Sequence, residues 1–228
     1  MRRTLMVAVA ALALTVPQLA KAANEQQVVN DAAVAVQRLS TGSGVAANAR
    51  DLLSRARGVM IIPTLVKGGF IFGGQGGTGV LLSRDPGTGA WSYPAFYTMG
   101  AGSFGLQIGL QVSKIMLIIM NDRALNAVLE HEFKLGAEAG IAVATLGGGA
   151  EFSTTAAGGA DIYALAESQG LFGGVAIQGG IVKPEVDNDH AYYGPNVTAQ
   201  DIVVRRTVKN PGAEALRTAL RQATRTQG

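Results

Sequence analysis

Glycine set within strand-like sequence is the feature that most constrains this chain. From Val59 to Met120, short apolar runs alternate with glycines and turn signals. Phe104 to Val112 is the clearest of these runs. Phe104, Leu106, Ile108, Leu110 and Val112 fall on one side, with Gly105, Gln107, Gly109 and Gln111 on the other. A period of two predicts one half-buried antiparallel strand over this stretch. Val59 to Ile62, stopped by Pro63, reads as a short buried strand. Ile115 to Met120 is apolar on both faces and reads as a central one. Asp85-Pro86-Gly87-Thr88-Gly89 is a turn.

Gly74, Gly76 and Gly79 have the Gly-x-Gly-x-x-Gly spacing of a dinucleotide-binding turn. That motif needs a helix after it, so that the helix N-terminus meets the pyrophosphate. Here Val80-Leu81-Leu82-Ser83-Arg84 and then the turn follow, which leaves no room for a helix. Gly100, Gly102 and Gly105 repeat the spacing, again with a strand next. Glycines in strands permit bulges, sharp coiling and close backbone approach. The expectation is therefore a strongly curved sheet.

Helices flank the strands. Val28, Ala32, Val36 and Leu39 share one face of a helix over Asn24 to Leu39, and a second is expected over Ala46 to Arg57. Asn121 or Asp122 caps a third, running to about Leu135, with Leu125, Val128, Leu129 and Phe133 as its apolar stripe. Further strands are expected at Ala139 to Leu146, Asp161 to Glu167 and Leu171 to Ile177. A polar loop over Glu185 to His190 follows. Asn210-Pro211 starts the last helix, which runs to about Thr224. Strands and helices do not alternate regularly. The fold class is α+β, with a strongly curved, mainly antiparallel glycine-rich sheet flanked by N-terminal, central and C-terminal helices. Ile71-Phe72-Gly73-Gly74 recurs as Leu171-Phe172-Gly173-Gly174, which is too little for a repeat array.

Residues 1–22 read as a secretory signal peptide. Arg2 and Arg3 precede an apolar run from Leu5 to Val16, and Ala20-Lys21-Ala22 is a cleavage signal. The run falls short of the roughly 20 residues that span a bilayer. Cleavage leaves residues 23–228 as a single domain. It removes 3 of the 19 basic residues, so 16 face 16 acidic ones and the net charge becomes zero. A general attraction to nucleic acid is not expected. There is no cysteine, hence no disulfide, thiolate chemistry or lipobox attachment.

Catalytic patterns are weak. Gly-x-Ser-x-Gly is absent, because Ala101 precedes Ser103. The two histidines, His131 and His190, lack the partners of a metal set, and Asp187-Asn188-Asp189-His190 reads as a polar turn. Neither catalytic residues, nor a metal, nor a cofactor are expected, and the chain is not read as an enzyme. Basic residues do cluster: Arg50, Arg55 and Arg57 on or just after the second helix, then Lys67, with Lys114 as a further member. Arg217, Arg221 and Arg225 step along the last helix as a solvent-facing stripe opposite Leu216 and Leu220.

One set of motifs runs through the chain in order. Ala56-Arg57-Gly58-Val59 with Ile62-Pro63, Lys67-Gly68-Gly69-Phe70, Gly76-Gly77-Thr78-Gly79-Val80 and Trp91-Ser92-Tyr93-Pro94-Ala95-Phe96 come first. The stretch from Gly102 to Gly109, Met120-Asn121, Lys134-Leu135-Gly136-Ala137, Gly170-Leu171-Phe172 and Tyr192-Tyr193-Gly194 complete it. Together they resemble the SYLF-domain family over about residues 30 to 222. The resemblance implies lipid binding. Eukaryotic members bind phosphoinositides, and some bind and bundle actin, with an amphipathic N-terminal segment and a basic surface. This chain departs from that in its first helix, where Arg38 is the only base.

The expected function is an exported, non-enzymatic lipid-binding domain, periplasmic or extracellular and peripheral to a membrane. Arg50, Arg55, Arg57, Lys67 and Lys114 would contact anionic phospholipid headgroups. The alternative is an envelope scaffold that binds a protein partner. A hydrolase with an unrecognised site is the weakest reading. Export argues against actin as the partner.

Overall fold

The computed structural model describes residues 24–42, 44–69, 72–104, 109–146, 153–154, 159–169, 177 and 179–225. The signal-peptide segment lies outside these residues. So do the strand expected from Leu171 up to Ile177 and the recurrence at Leu171 to Gly174.

The architecture is α+β, a curled and mostly antiparallel sheet with helices at the N-terminus, centre and C-terminus. Helix α1 (24–40) and α2 (Val45–Arg55) precede strands β1 (Gly58–Gly69), β2 (Phe72–Ser83), β3 (Ala95–Phe104) and β4 (Gly109–Ile119). Then come α3 (Asp122–Glu130), β5 (Phe133–Lys134), β6 (Ile141–Thr145), β7 (Ser153–Thr154), β8 (Ile162–Gln169) and β9 (Ile181–Pro184). Helix α4 (Val186–Tyr193), a π-helical turn (Asp201–Arg205), a 3-10 turn (Pro211–Ala213) and α5 (Glu214–Ala223) close the chain. Among the described residues the sheet has nine strands, in the order β5-β9-β3-β2-β1-β4-β8-β6-β7. Its β3-β2-β1-β4 portion is a Greek key. Among the described residues only β6 and β8 pair in parallel.

Both faces of the sheet's centre are covered, because successive side chains point to opposite sides. On one face, Val59, Ile61, Val80, Leu82, Phe96, Met116 and Ile118 pack with α1, α2 and α5. We call this the helix face. On the other, Met60, Ile62, Leu81, Tyr97, Ile115 and Leu117 pack with α3, Phe133 and the π-helical turn. β4 lies between β1 and β8, the central position its two-sided apolar run predicts.

Several local expectations are corrected. Phe104 to Val112 is not one strand. Phe104 ends β3 against Phe72, while Gly109 opens β4 against Gly69, two strands away. Residues 105–108 lie outside the described set. Alternation alone cannot separate one strand from two strand ends joined in phase. Pro63 does not stop β1 either. Ile61 pairs with Val80 and Val66 with Gly76, while Ile62 pairs with Ile115 and Leu65 with Ser113. One extra residue therefore sits at Pro63–Thr64 relative to both neighbours, a bulge that suits a residue without an N–H to donate.

The bulge explains part of the glycine pattern. A Cβ on Gly77 would strike the Thr64 carbonyl oxygen, and one on Gly79 would strike that of Ile61 and lie 2.9 Å from the Ile62 side chain. Gly74, Gly76, Gly100 and Gly102 are different: an added Cβ meets nothing closer than 3.8 Å.

The helix expected to reach Leu135 ends at Glu130, since Phe133 is wholly buried as part of β5 and pairs with Val182. Asn121 is its cap, accepting from the Ala124 N–H at 2.9 Å. The polar loop at Glu185 to His190 is mostly the helix α4, which turns Asp189 and Tyr192 inward. Arg217 is no part of a solvent-facing stripe. It donates to the Trp91 carbonyl at 3.1 and 3.0 Å, and its guanidinium lies 4.4 Å from the centre of the Tyr93 ring.

Candidate functional site

The sheet outlasts its helical cover. Strands β1 and β2 have 12 residues each, about 40 Å of extended chain, whereas α1 is about 25 Å long and α2 and α5 are shorter. In the distal half, beyond the bulge, the two faces part company. Leu65, Met99, Gln111 and Ser113 are buried on the face opposite the helices. On the helix face, Val66 is 40% exposed and its cross-strand neighbour Val112 is 38% exposed. Gly74, Gly76 and Gly102 extend the same floor and are exposed as well. The result is a bare patch of valine and peptide backbone. Apart from Asp85, in the β2–β3 turn, residues 52–121 contain no acidic side chain.

The expected site residues spread along this frame. Arg50 is drawn into the end of α1, donating to the carbonyls of Ser40 at 2.6 Å and Gly42 at 2.9 Å. The Ser40 carbonyl is among those orphaned where α1 ends, and a cation there is favourable. Arg55 pairs with Asp51 one turn back in α2. Arg57 pairs through Nε with Asp122 at 2.7 Å, tying the start of β1 to the first turn of α3. Lys67 lies about 30 Å further along β1. The five do not form one patch.

Lys67 and Lys114 are the two members in the distal half, and no described hydrogen bond or ion pair engages either. They fall on opposite faces. Leu65 points away from the helices, so Val66 points toward them and Lys67 away. Lys114 shares the helix face with Met116 and Ile118, and sits opposite Glu167 of β8 in register.

Sequence reasoning missed a second feature of that face. Val34, Gln37 and Arg38 of α1, with Thr41 just past its end, Leu146 and Glu167, line a cleft of about 610 Å³. Arg38 donates from Nε to Glu167 Oε1 at 2.8 Å, across 129 residues of sequence. The local signal was one arginine in an otherwise base-free helix. Its partner could not be read from spacing.

One buried acid stands apart. Asp189 is 1% exposed, and burial pushes its carboxyl up from 3.8 to about 7. It accepts from the Phe96 N–H at 2.9 Å, and Oδ2 has no hydrogen-bond partner among the described residues. Among the described residues, no group of three or more His, Asp or Glu converges as a metal site. No described helix is long and apolar enough to cross a membrane.

An α+β domain with a half-bare sheet face, isolated cations and a mixed cleft presents surfaces for binding. Comparison with known proteins supplies the family. Residues 100–223 match the family described as Ysc84, Las17-binding protein actin regulator. LAS seventeen-binding protein 3 of Saccharomyces cerevisiae is 31% identical over 169 residues, which is 73% of this chain and 36% of the yeast protein. SH3 domain-containing YSC84-like protein 1 of Homo sapiens is 29% identical over 166 residues, 72% of this chain and 48% of its own length. The chain thus spans about a third to a half of these relatives. No solved structure matches it. The chain belongs to the Ysc84 family, whose domain is also called SYLF.

Proposed function

We propose that this protein is an exported module that binds anionic phospholipid surfaces through the distal half of its sheet. The observation that carries the reading is the bare helix face there, where Val66 and Val112 lie side by side in an acid-free stretch. Exposed apolar side chains beside a cation with no partner among the described residues suit the boundary between headgroups and acyl chains. Lys114 on that face contacts headgroup phosphates and the valines enter the interface, while Lys67, on the opposite face, adds only to the local charge. Arg50, Arg55 and Arg57, each with an acceptor of its own, contribute less. Export after cleavage at Ala22 places the anionic surface in the cell envelope.

Vesicle co-sedimentation tests this. The protein should sediment with vesicles containing phosphatidylglycerol, less with pure phosphatidylcholine, and less in high salt, because exposed charges are screened within about 8 Å at physiological ionic strength. Binding that ignores lipid charge and salt defeats the reading, as does no binding.

The family's description, a Las17-binding actin regulator, favours a second reading. In it the bare face docks a protein, and actin, set aside on the ground of export, returns as one candidate. Co-sedimentation with filamentous actin, without lipid, separates the two.

A further inference from the structure

Glu167 holds Arg38 in a particular attitude. The carboxylate is 14% exposed and fixed on β8, while the guanidinium is 65% exposed at the cleft wall. Because Glu167 engages Nε, the edge carrying Nη1 and Nη2 is left without a described partner. Two parallel N–H donors on a planar fork match two oxygens of a phosphate. Val36 and Leu39, both fully buried, fix the helix that carries Arg38. Lys114, directly across the strand pair from Glu167, adds a second cation on the same face. The rest of the cleft has a different chemistry. Val34 is 57% exposed and lines the cleft with Leu146, and Val112 lies two residues along β4 from Lys114 on the same face. A volume of about 610 Å³ falls in the range of roughly 300–1,000 Å³ typical of small-molecule sites.

We infer that this cleft takes one phospholipid molecule, with its phosphate on the outer edge of Arg38 and an acyl chain across Val34 and Leu146 toward Val112. The inference rests on the lipid reading but differs from it in kind. Surface contact needs a bilayer, whereas the cleft holds a single molecule.

The probe is dihexanoyl phosphatidic acid below its micelle-forming concentration, titrated into the purified protein by calorimetry. Glycerol 3-phosphate and phosphatidylglycerol vesicles serve as parallel arms. Saturable one-to-one binding of the monomeric lipid is expected, with glycerol 3-phosphate at least tenfold weaker. Arg38→Ala should weaken monomer binding tenfold or more and Arg38→Lys by less, while vesicle sedimentation changes under twofold. Val34→Asp, at an exposed position that leaves the core alone, should weaken the monomer similarly. If vesicles bind and the monomer does not, the cleft is overturned and surface contact stands. Equal binding of glycerol 3-phosphate overturns the acyl-chain part, and monomer binding indifferent to Arg38→Ala overturns the location. If neither monomer nor vesicles bind, both readings fall.

Discussion

The Asp189 carboxylate on α4 accepts a hydrogen bond from the Phe96 N–H on β3 at 2.9 Å, with its second oxygen buried and without a partner among the described residues. The same helix sets Tyr192 against Phe96, with ring centres 5.3 Å apart, and Tyr193 donates to the Pro94 carbonyl at 2.7 Å. An ionisable group thus lies inside the contact between α4 and the sheet. The Tyr97 hydroxyl, also buried and without a partner among the described residues, is pushed up by burial and then by the Asp189 charge.

The first prediction concerns pH. Burial raises the Asp189 carboxyl from 3.8 to about 7. Between those values the folded chain holds a proton that the unfolded chain has released. Its contribution to stability is fully present below pH 4 and is lost as pH rises through 7. Asp189→Asn keeps an oxygen for the Phe96 N–H and removes the charge. It should stabilise the protein at pH 8 by about 1–3 kcal/mol and flatten the profile between pH 4 and 8. Urea melts of both proteins across that range are the check; parallel profiles would contradict it.

The second concerns glycine. At Gly77 and Gly79 the backbone of β1 blocks a side chain, so alanine at either should cost about 2–4 kcal/mol as the bulge is forced away. Gly76→Ala and Gly102→Ala have room, and should be neutral or stabilise by up to about 1 kcal/mol through the unfolded chain. Thermal denaturation separates the two pairs, and equal losses at all four sites would refute the distinction.

The third concerns α5. Arg217 joins the Trp91 carbonyl, Glu214 and the Tyr93 ring, and its side chain is 19% exposed. Arg217→Ala should cost about 1–3 kcal/mol. Arg221→Ala, at an exposed site bonded only to Thr218 among the described residues, should stay within about 0.5 kcal/mol. Chemical denaturation of each variant reads the difference.

The fourth concerns the bare face. Val66→Asp and Val112→Asp place a charge in the apolar patch without touching the core. Each should reduce sedimentation with phosphatidylglycerol vesicles at least fivefold and leave the melting temperature within about 3 °C. Lys114→Ala should lower both the binding and its salt dependence. Unchanged sedimentation in all three variants would remove the distal face from the interface.

Much of the fold was legible locally. The two-sided apolar run from Ile115 falls in β4 at the sheet's centre, Asn121 and Asn210 accept the expected cap bonds, and Asp85 closes the expected turn through Gly87 and Thr88, whereas the period of two over Phe104 to Val112 ran two strand ends together. Helix α4 was not legible. Its acids look like a solvated loop, and only docking on β3 turns Asp189 and Tyr192 inward together. The site was less legible than the fold. Arg50 reads as a free cation until the end of α1 claims it, and Arg38 as an ordinary surface base until β8 brings up Glu167.

The amino-acid sequence alone determined that this chain curls a glycine-rich sheet among helices, and which family it resembles. Those properties reside in short-range patterns, in which apolar period, caps and turns act within a few residues. Only the tertiary structure decided which surface stays bare and which cations stand on it. Counted by alternation from Val59, Lys67 would share the helix face with Val59 and Ile61. The extra residue at Pro63–Thr64 inverts every later position, so Val66 turns toward the helices and Lys67 away. A bulge is a relation between neighbouring strands, and the faces of β1 exist only once β2 and β4 are beside it.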